Sequence, residues 1–154
     1  MVRNRAPPQA TPATVSALPS AAVQIAAGTE SSYAMLVDGS VWAWGYNGDG
    51  QLGDGTTTDR LSPVRIEGYG ADTAMRLPPG GNRADTMFVV AADGTAMGSG
   101  WNGYGQLGNG ESGGNADDGW HSANVPTAGA IPELGGGIVE IARASSHTLV
   151  LKGE

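Results

Sequence analysis

Apolar residues in this chain come in short runs separated by glycine-rich polar stretches. Ser31-Ser32-Tyr33-Ala34-Met35-Leu36-Val37 is one such run, bounded by Gly28 and by Asp38-Gly39. That is the form of a strand entering a hairpin, because Asp-Gly supplies the positive-φ positions of a type I′ turn. The return strand is Ser40-Val41-Trp42-Ala43-Trp44, whose alternation puts Val41 and Ala43 on one face and Trp42 and Trp44 on the other. Thr86 to Val90, Asp93-Gly94 and Thr95 to Ser99 follow the same grammar. Val139-Glu140-Ile141-Ala142 and His147 to Leu151 begin it a third time. No segment sustains a 3.6-residue period, so almost no helix is predicted.

The similarity between these units is literal. Asp38 to Gly55, DGSVWAWGYNGDGQLGDG, recurs without a gap at Asp93 to Gly110 as DGTAMGSGWNGYGQLGNG, an offset of 55 residues (93 − 38). The third unit aligns at an offset of 116 (154 − 38), which brings His147 onto Ser31. Gapless self-similarity at such a period marks a repeat architecture, in which each unit buries its faces against its neighbours.

Ile25-Ala26-Ala27-Gly28, Asp38-Gly39, Trp42-Ala43-Trp44-Gly45, Asn47, Gly50-Gln51-Leu52-Gly53-Asp54-Gly55 and Pro63-Val64 together closely resemble the repeat of the regulator-of-chromosome-condensation family. The match runs through residues 23–66 almost completely, through 81–126 in part and through 141–154 as half a repeat, so the chain is a diverged member with about two and a half repeats. The resemblance implies an all-β fold: blades of four antiparallel strands in a β-propeller, typically of seven blades. Two and a half repeats are too few to close a ring, so the expectation is an incomplete propeller or a propeller fragment. The family histidine persists only at His147, Ser31 and Thr86 standing in its place elsewhere. Pro78-Pro79-Gly80-Gly81-Asn82-Arg83 disturbs the Ala-Ala-Gly stretch of the second repeat.

The organisation read from this is a flexible Pro/Ala-rich leader at 1–22, a first repeat at 23–72, a second at 73–138 carrying a loop insertion at 111–121, and the start of a third at 139–154. Pro7-Pro8 interrupts what would be the apolar core of a signal peptide, and no 18-residue apolar run is present. Twenty-six glycines beside one phenylalanine fit turns and closely stacked sheets, and the absence of cysteine excludes disulfides and thiolate chemistry. A net charge of −7 with eight scattered basic residues argues against a nucleic-acid partner.

Candidate chemistry is thin. Asn47, Asp49 and Asp54 in a glycine-rich loop evoke calcium, but an EF-hand register puts Leu52 and Thr58 where glycine and glutamate belong. The second repeat replaces both carboxylates, by Tyr104 and Asn109. No nucleophile elbow or dinucleotide fingerprint is present. The reading is therefore of a protein that is not an enzyme and takes no metal or cofactor.

The loop aromatics point elsewhere. Tyr46 and Trp101 share one repeat position, Asp49 and Tyr104 another, and Trp120 and His121 sit in the insertion. Equivalent loops of successive blades line one rim, and tyrosine and tryptophan dominate binding hot spots. Tyr46, Asp49, Trp101, Tyr104, Trp120 and His121 are the expected contacts for a protein partner, whereas Trp42 and Trp44 are expected between blades. The resemblance implies partner binding of this kind, since family members include an exchange factor for a small GTPase and a bacterial inhibitor of β-lactamases. The alternative is a structural unit whose copies oligomerise to complete a ring. Photoreception, known for plant propellers with tryptophans among basic residues, has only Gly119-Trp120-His121-Ser122 in its favour, which lacks the arginine.

Overall fold

The computed structural model describes residues 14–67, 76–80, 85–113 and 123–153. The strands are β1 (Ala22–Ala27), β2 (Ser31–Leu36), β3 (Val41–Gly45), β4 (Arg60–Ile66), β5 (Thr86–Val90), β6 (Ala96–Gly100), β7 (Val125–Ala130), β8 (Ile138–Arg143) and β9 (Thr148–Lys152). They form three antiparallel meanders, β1-β2-β3-β4, β5-β6-β7 and β8-β9. The sole helical element among the described residues is the 3₁₀ turn Pro132–Leu134, so the all-β propeller expectation holds.

The β2–β3 connection differs from the two-residue turn expected of Asp-Gly. Gly39 N–H donates to Leu36 O and Leu36 N–H to Ser40 O, which makes a three-residue loop, a tight turn closed by a left-handed Gly39 (φ 76°). Asp38 takes the Ser40 N–H and hydroxyl on Oδ1, at 3.0 and 2.6 Å. Asp93 does the same for Thr95. The aspartate is selected here as an acceptor for the turn's exit, not for a positive φ of its own.

Among the described residues, the position of a first strand in the second sheet is held by a single bridge, Arg76 and Val90 exchanging backbone bonds of 2.7 and 2.9 Å. Pro78 and Pro79 follow it, and prolines carry no N–H for a ladder. Leu77 N–H is satisfied across the blade junction by Gln24 Oε1 at 2.9 Å.

Between the first two sheets lie Tyr33, Met35, Val41, Ala43, Leu52 and Ile66 against Leu77, Met87 and Val89. Between the second and third lie Phe88, Val90, Ala96 and Leu107 against Ile138 and Ile141. Repeat-equivalent residues thus recur at both junctions. Each fully buried large side chain contributes about 1.5–3 kcal/mol through removal from water, so these two layers carry the fold. Val41 and Ala43 are buried as the alternation predicts, but Trp42 and Trp44, expected between blades, are half-buried on the outer face of the first sheet. Trp44 shares an apolar hollow there with Ile25 and with Val15 and Leu18 of the segment before β1.

Candidate functional site

The strand ends carrying the glycine-rich loops are built the same way twice. Gly45 and Gly100 end β3 and β6 at φ 108° and 106°. A Cβ at either would strike the carbonyl of Glu30 or of Asp85, so only glycine fits. The next residues, Tyr46 and Trp101, donate their N–H groups to those same carbonyls at 2.9 Å. Both aromatics are thereby fixed at the mouth of their loop.

Each loop then closes around an asparagine. Asn47 Oδ1 accepts the Leu52 N–H, and Asn102 Oδ1 the Leu107 N–H, both at 2.9 Å. Gln51 and Gln106 take the N–H of Asp49 and of Tyr104 at 3.0 Å. The Asn47 amide donates to Asp54 Oδ1, to Thr56 O and to Thr58 O at 3.2, 3.0 and 3.1 Å. Asn102 donates to Asn109 Oδ1 and Glu111 O, both at 3.0 Å. Arg60 completes the first loop through Nε and Nη2, each 2.6 Å from Asp54 Oδ2. Burial pushes the Asp54 carboxyl up, but hydrogen bonds from Thr56 and the Arg60 guanidinium outweigh it and leave the group below its ordinary value. Of the loop polar groups that evoked calcium in the sequence, Asn47 and Asp54 are bonded to each other, and Asp49 accepts from Asn124.

At the junction of the second and third sheets, Trp101 and Tyr104 meet edge to face, with centroids 5.3 Å apart and planes at 79°. They line a shallow hollow with Ser145 and Ser146. Tyr104 is 59% exposed, and Gln106 ties the floor across the junction by donating to Ser145 O at 3.3 Å. At the junction of the first two sheets the rim is acidic. Burial raises the Asp85 carboxyl, a hydrogen bond from Thr29 opposes this, and the neighbouring Asp49 and Glu30 carboxylates raise it further. Beneath it, burial pushes the Tyr33 phenol up to about 12 and lowers the Arg143 guanidinium. Arg143 reaches from β8 to the Thr86 and Pro78 carbonyls.

The family's repeat profile, described as the regulator of chromosome condensation (RCC1) repeat, matches residues 38–73 and, in a second form, residues 22–51. Residues 22–73 therefore carry RCC1-type repeat sequence. It is 38% identical over 88 residues to the Arabidopsis thaliana ultraviolet-B receptor UVR8, covering 57% of this chain and 19% of that protein. Human WBSCR16 superposes with a TM-score of 0.70 at 26% identity, over 88% of this chain and 32% of that one. Yeast RCC1 (Prp20), in its complex with Kap60, superposes with a TM-score of 0.69 at 18% identity, over 85% of this chain and 30% of that one. The chain therefore spans about a fifth of UVR8 and about a third of each solved propeller.

Three of the expected contact residues retain surface exposure. Tyr46 and Trp101 are half-buried at equivalent places and Tyr104 is exposed. Asp49 is different: it is 7% exposed, and its carboxylate accepts the Asn124 amide at 3.2 Å, holding the first repeat's loop to the second. Trp120 and His121 lie outside the described residues. Ser145 and Ser146 were not expected at the site. Their signal was the offset of 116, which aligns them with Thr29 and Glu30 just before a strand on the same rim. His147 is exposed, whereas its equivalents Ser31 and Thr86 are buried.

Proposed function

We propose that this chain is a non-catalytic protein-interaction module that receives a protein partner on its loop rim, in the hollow formed by Trp101, Tyr104, Ser145 and Ser146. The observation that carries the reading is the Trp101–Tyr104 edge-to-face pair, a rigid aromatic surface held at the water boundary by backbone bonds at its base. Such aromatic anchors supply contact area at little conformational cost. Tyr46 contributes at the equivalent place on the first repeat, and Asp49 acts indirectly by holding Asn124. Trp120 and His121 are proposed contacts on the ground of the sequence, as aromatic residues of the insertion. The solved relatives support a protein partner: one yeast Prp20 structure holds Kap60, and another is described together with binding to Gsp1p and histones. The net charge of −7 disfavours a phosphate backbone as the partner.

A photo-crosslinking residue at Tyr104, compared with one at Val37 in the β2–β3 turn at the opposite ends of the strands, tests the reading. A discrete protein adduct from Tyr104 alone, lost on Trp101→Ala with the β-sheet circular dichroism unchanged, is the expected result. Equal labelling from both positions would sink it.

A further inference from the structure

Among the exposed apolar residues outside the rim, Ile25, Leu149 and Leu151 fall on the two end faces of the stack, and the repeat offsets show what those faces are. Tyr33 and Met35 are 1% and 6% exposed because the second sheet covers them. Their equivalents Phe88 and Val90 are 1% and 3% exposed beneath the third sheet. The next equivalents are Leu149 and Leu151 on β9, and these are 66% and 57% exposed. The receiving side shows the mirror situation. Ile138 and Ile141 of β8 are 5% and 0% exposed because the second sheet presses on them. Ile141 is equivalent to Ile25, which is 78% exposed, beside a hollow of about 600 Å³ whose walls include Val15, Leu18, Ala34 and Trp44.

We propose that these two faces are the halves of one interface, and that a second copy of this chain docks head to tail, its Leu149 and Leu151 entering the hollow over Ile25 and Trp44. The occupant is chosen by the chain itself, which makes this junction twice between its own sheets with the same positions facing each other. Trp44 supports the choice: at its place in the second sheet stands Ser99, fully buried under the first sheet. The larger ring at the outer face fills space that the shorter leucine pair, in place of Tyr33 and Met35, leaves open. The two faces differ, so the contact is heterologous; copies add in one direction and either close a ring or extend. The proposal rests on the sheet stacking and not on the rim reading.

The test uses the 154-residue chain and two variants at exposed positions, Ile25→Glu to block the head and Leu149→Glu to block the tail. Light scattering across a concentration series should show the parent associating and each variant monomeric, with circular dichroism unchanged. Mixed in equal amounts, the two variants should give a dimer and nothing larger, since only one intact head and one intact tail remain. The single changes should weaken association at least roughly tenfold, the ratio that 1.4 kcal/mol represents. A parent that is monomeric or unfolded, association that survives either change, or a mixture that stays monomeric would each overturn the proposal. Trp101→Ala should leave the association intact, which separates this failure from failure of the rim site.

Discussion

The loop around Asn47 and the loop around Asn102 solve one problem with different parts. Both must tuck a leucine under the sheet, Leu52 or Leu107, while turning the chain through a run of glycines. Both do so by folding an asparagine side chain back onto the leucine N–H. The first loop adds a charged clasp, with Asp54 receiving the Asn47 amide, the Thr56 N–H and hydroxyl, and Arg60. The second has Asn109 at that place, bonded to Asn102 and to the Glu111 N–H, and no cation among the described residues. The shared asparagine–leucine bond is what the repeat encodes. The carboxylate is an elaboration, and its loss in the second copy leaves the loop's course unchanged, with matching glycine φ values of 76° at Gly50 and Gly105 and near 70° at Gly53 and Gly108.

The largest expected effects test the shared part. Leu52→Ala and Leu107→Ala should each destabilise the fold by about 2–5 kcal/mol, since both side chains are essentially fully buried and leave a cavity. Urea unfolding should give similar losses for the two; a large disparity would mean that the loops are not equivalent structurally. Asn47→Ala and Asn102→Ala come next, at about 1–3 kcal/mol for each buried group left without its partner. Here the comparison should split, with Asn47→Ala the more costly because its amide serves more acceptors. Equal losses would show that the extra donors contribute nothing net.

How much of this was legible in the sequence varies with the range of the interaction. The repeat, its strands and its buried face were legible because period-2 alternation and the 55-residue offset depend only on local spacing, as Val41 and Ala43 illustrate. The aromatic positions Tyr46, Trp101 and Tyr104 were legible for the same reason. Asp49 was not, because its burial is set by Asn124, 75 residues away. Nor were Trp42 and Trp44: alternation assigns a residue to a face, but which face a neighbouring sheet covers depends on stacking order. Arg143 was invisible for a further reason. It occupies the place of Ala27, and an arginine in an alanine's position is buried here only because the Thr86 and Pro78 carbonyls converge on it.

The smallest effect is also the most selective, because it acts on the clasp alone. Asp54 lies below its ordinary pKa in the folded protein, so its ionised form stabilises the first loop. That contribution is complete above the unfolded value near 4 and is lost as pH falls through the folded one. Asp38 and Asp93 are lowered as well, by hydrogen bonds from Ser40 and Thr95, but they occur one per repeat and cancel between the loops. Asp85 has the opposite sign: its raised value means that its protonated form favours folding, an advantage lost as pH rises through that value. Hydrogen-exchange protection of the Leu52 and Leu107 N–H groups reads the two loops separately. On acidification, protection at Leu52 should fall relative to Leu107, by an amount matching the roughly 0.5–1 kcal/mol of a partly exposed ion pair. Asp54→Asn, which writes the second loop's chemistry into the first, should abolish the difference. Arg60→Gln should reduce it only in part, because the Thr56 bonds to Asp54 remain. If protection at Leu52 and Leu107 already declines together in the parent, the clasp is decoration and the asparagine alone holds both loops.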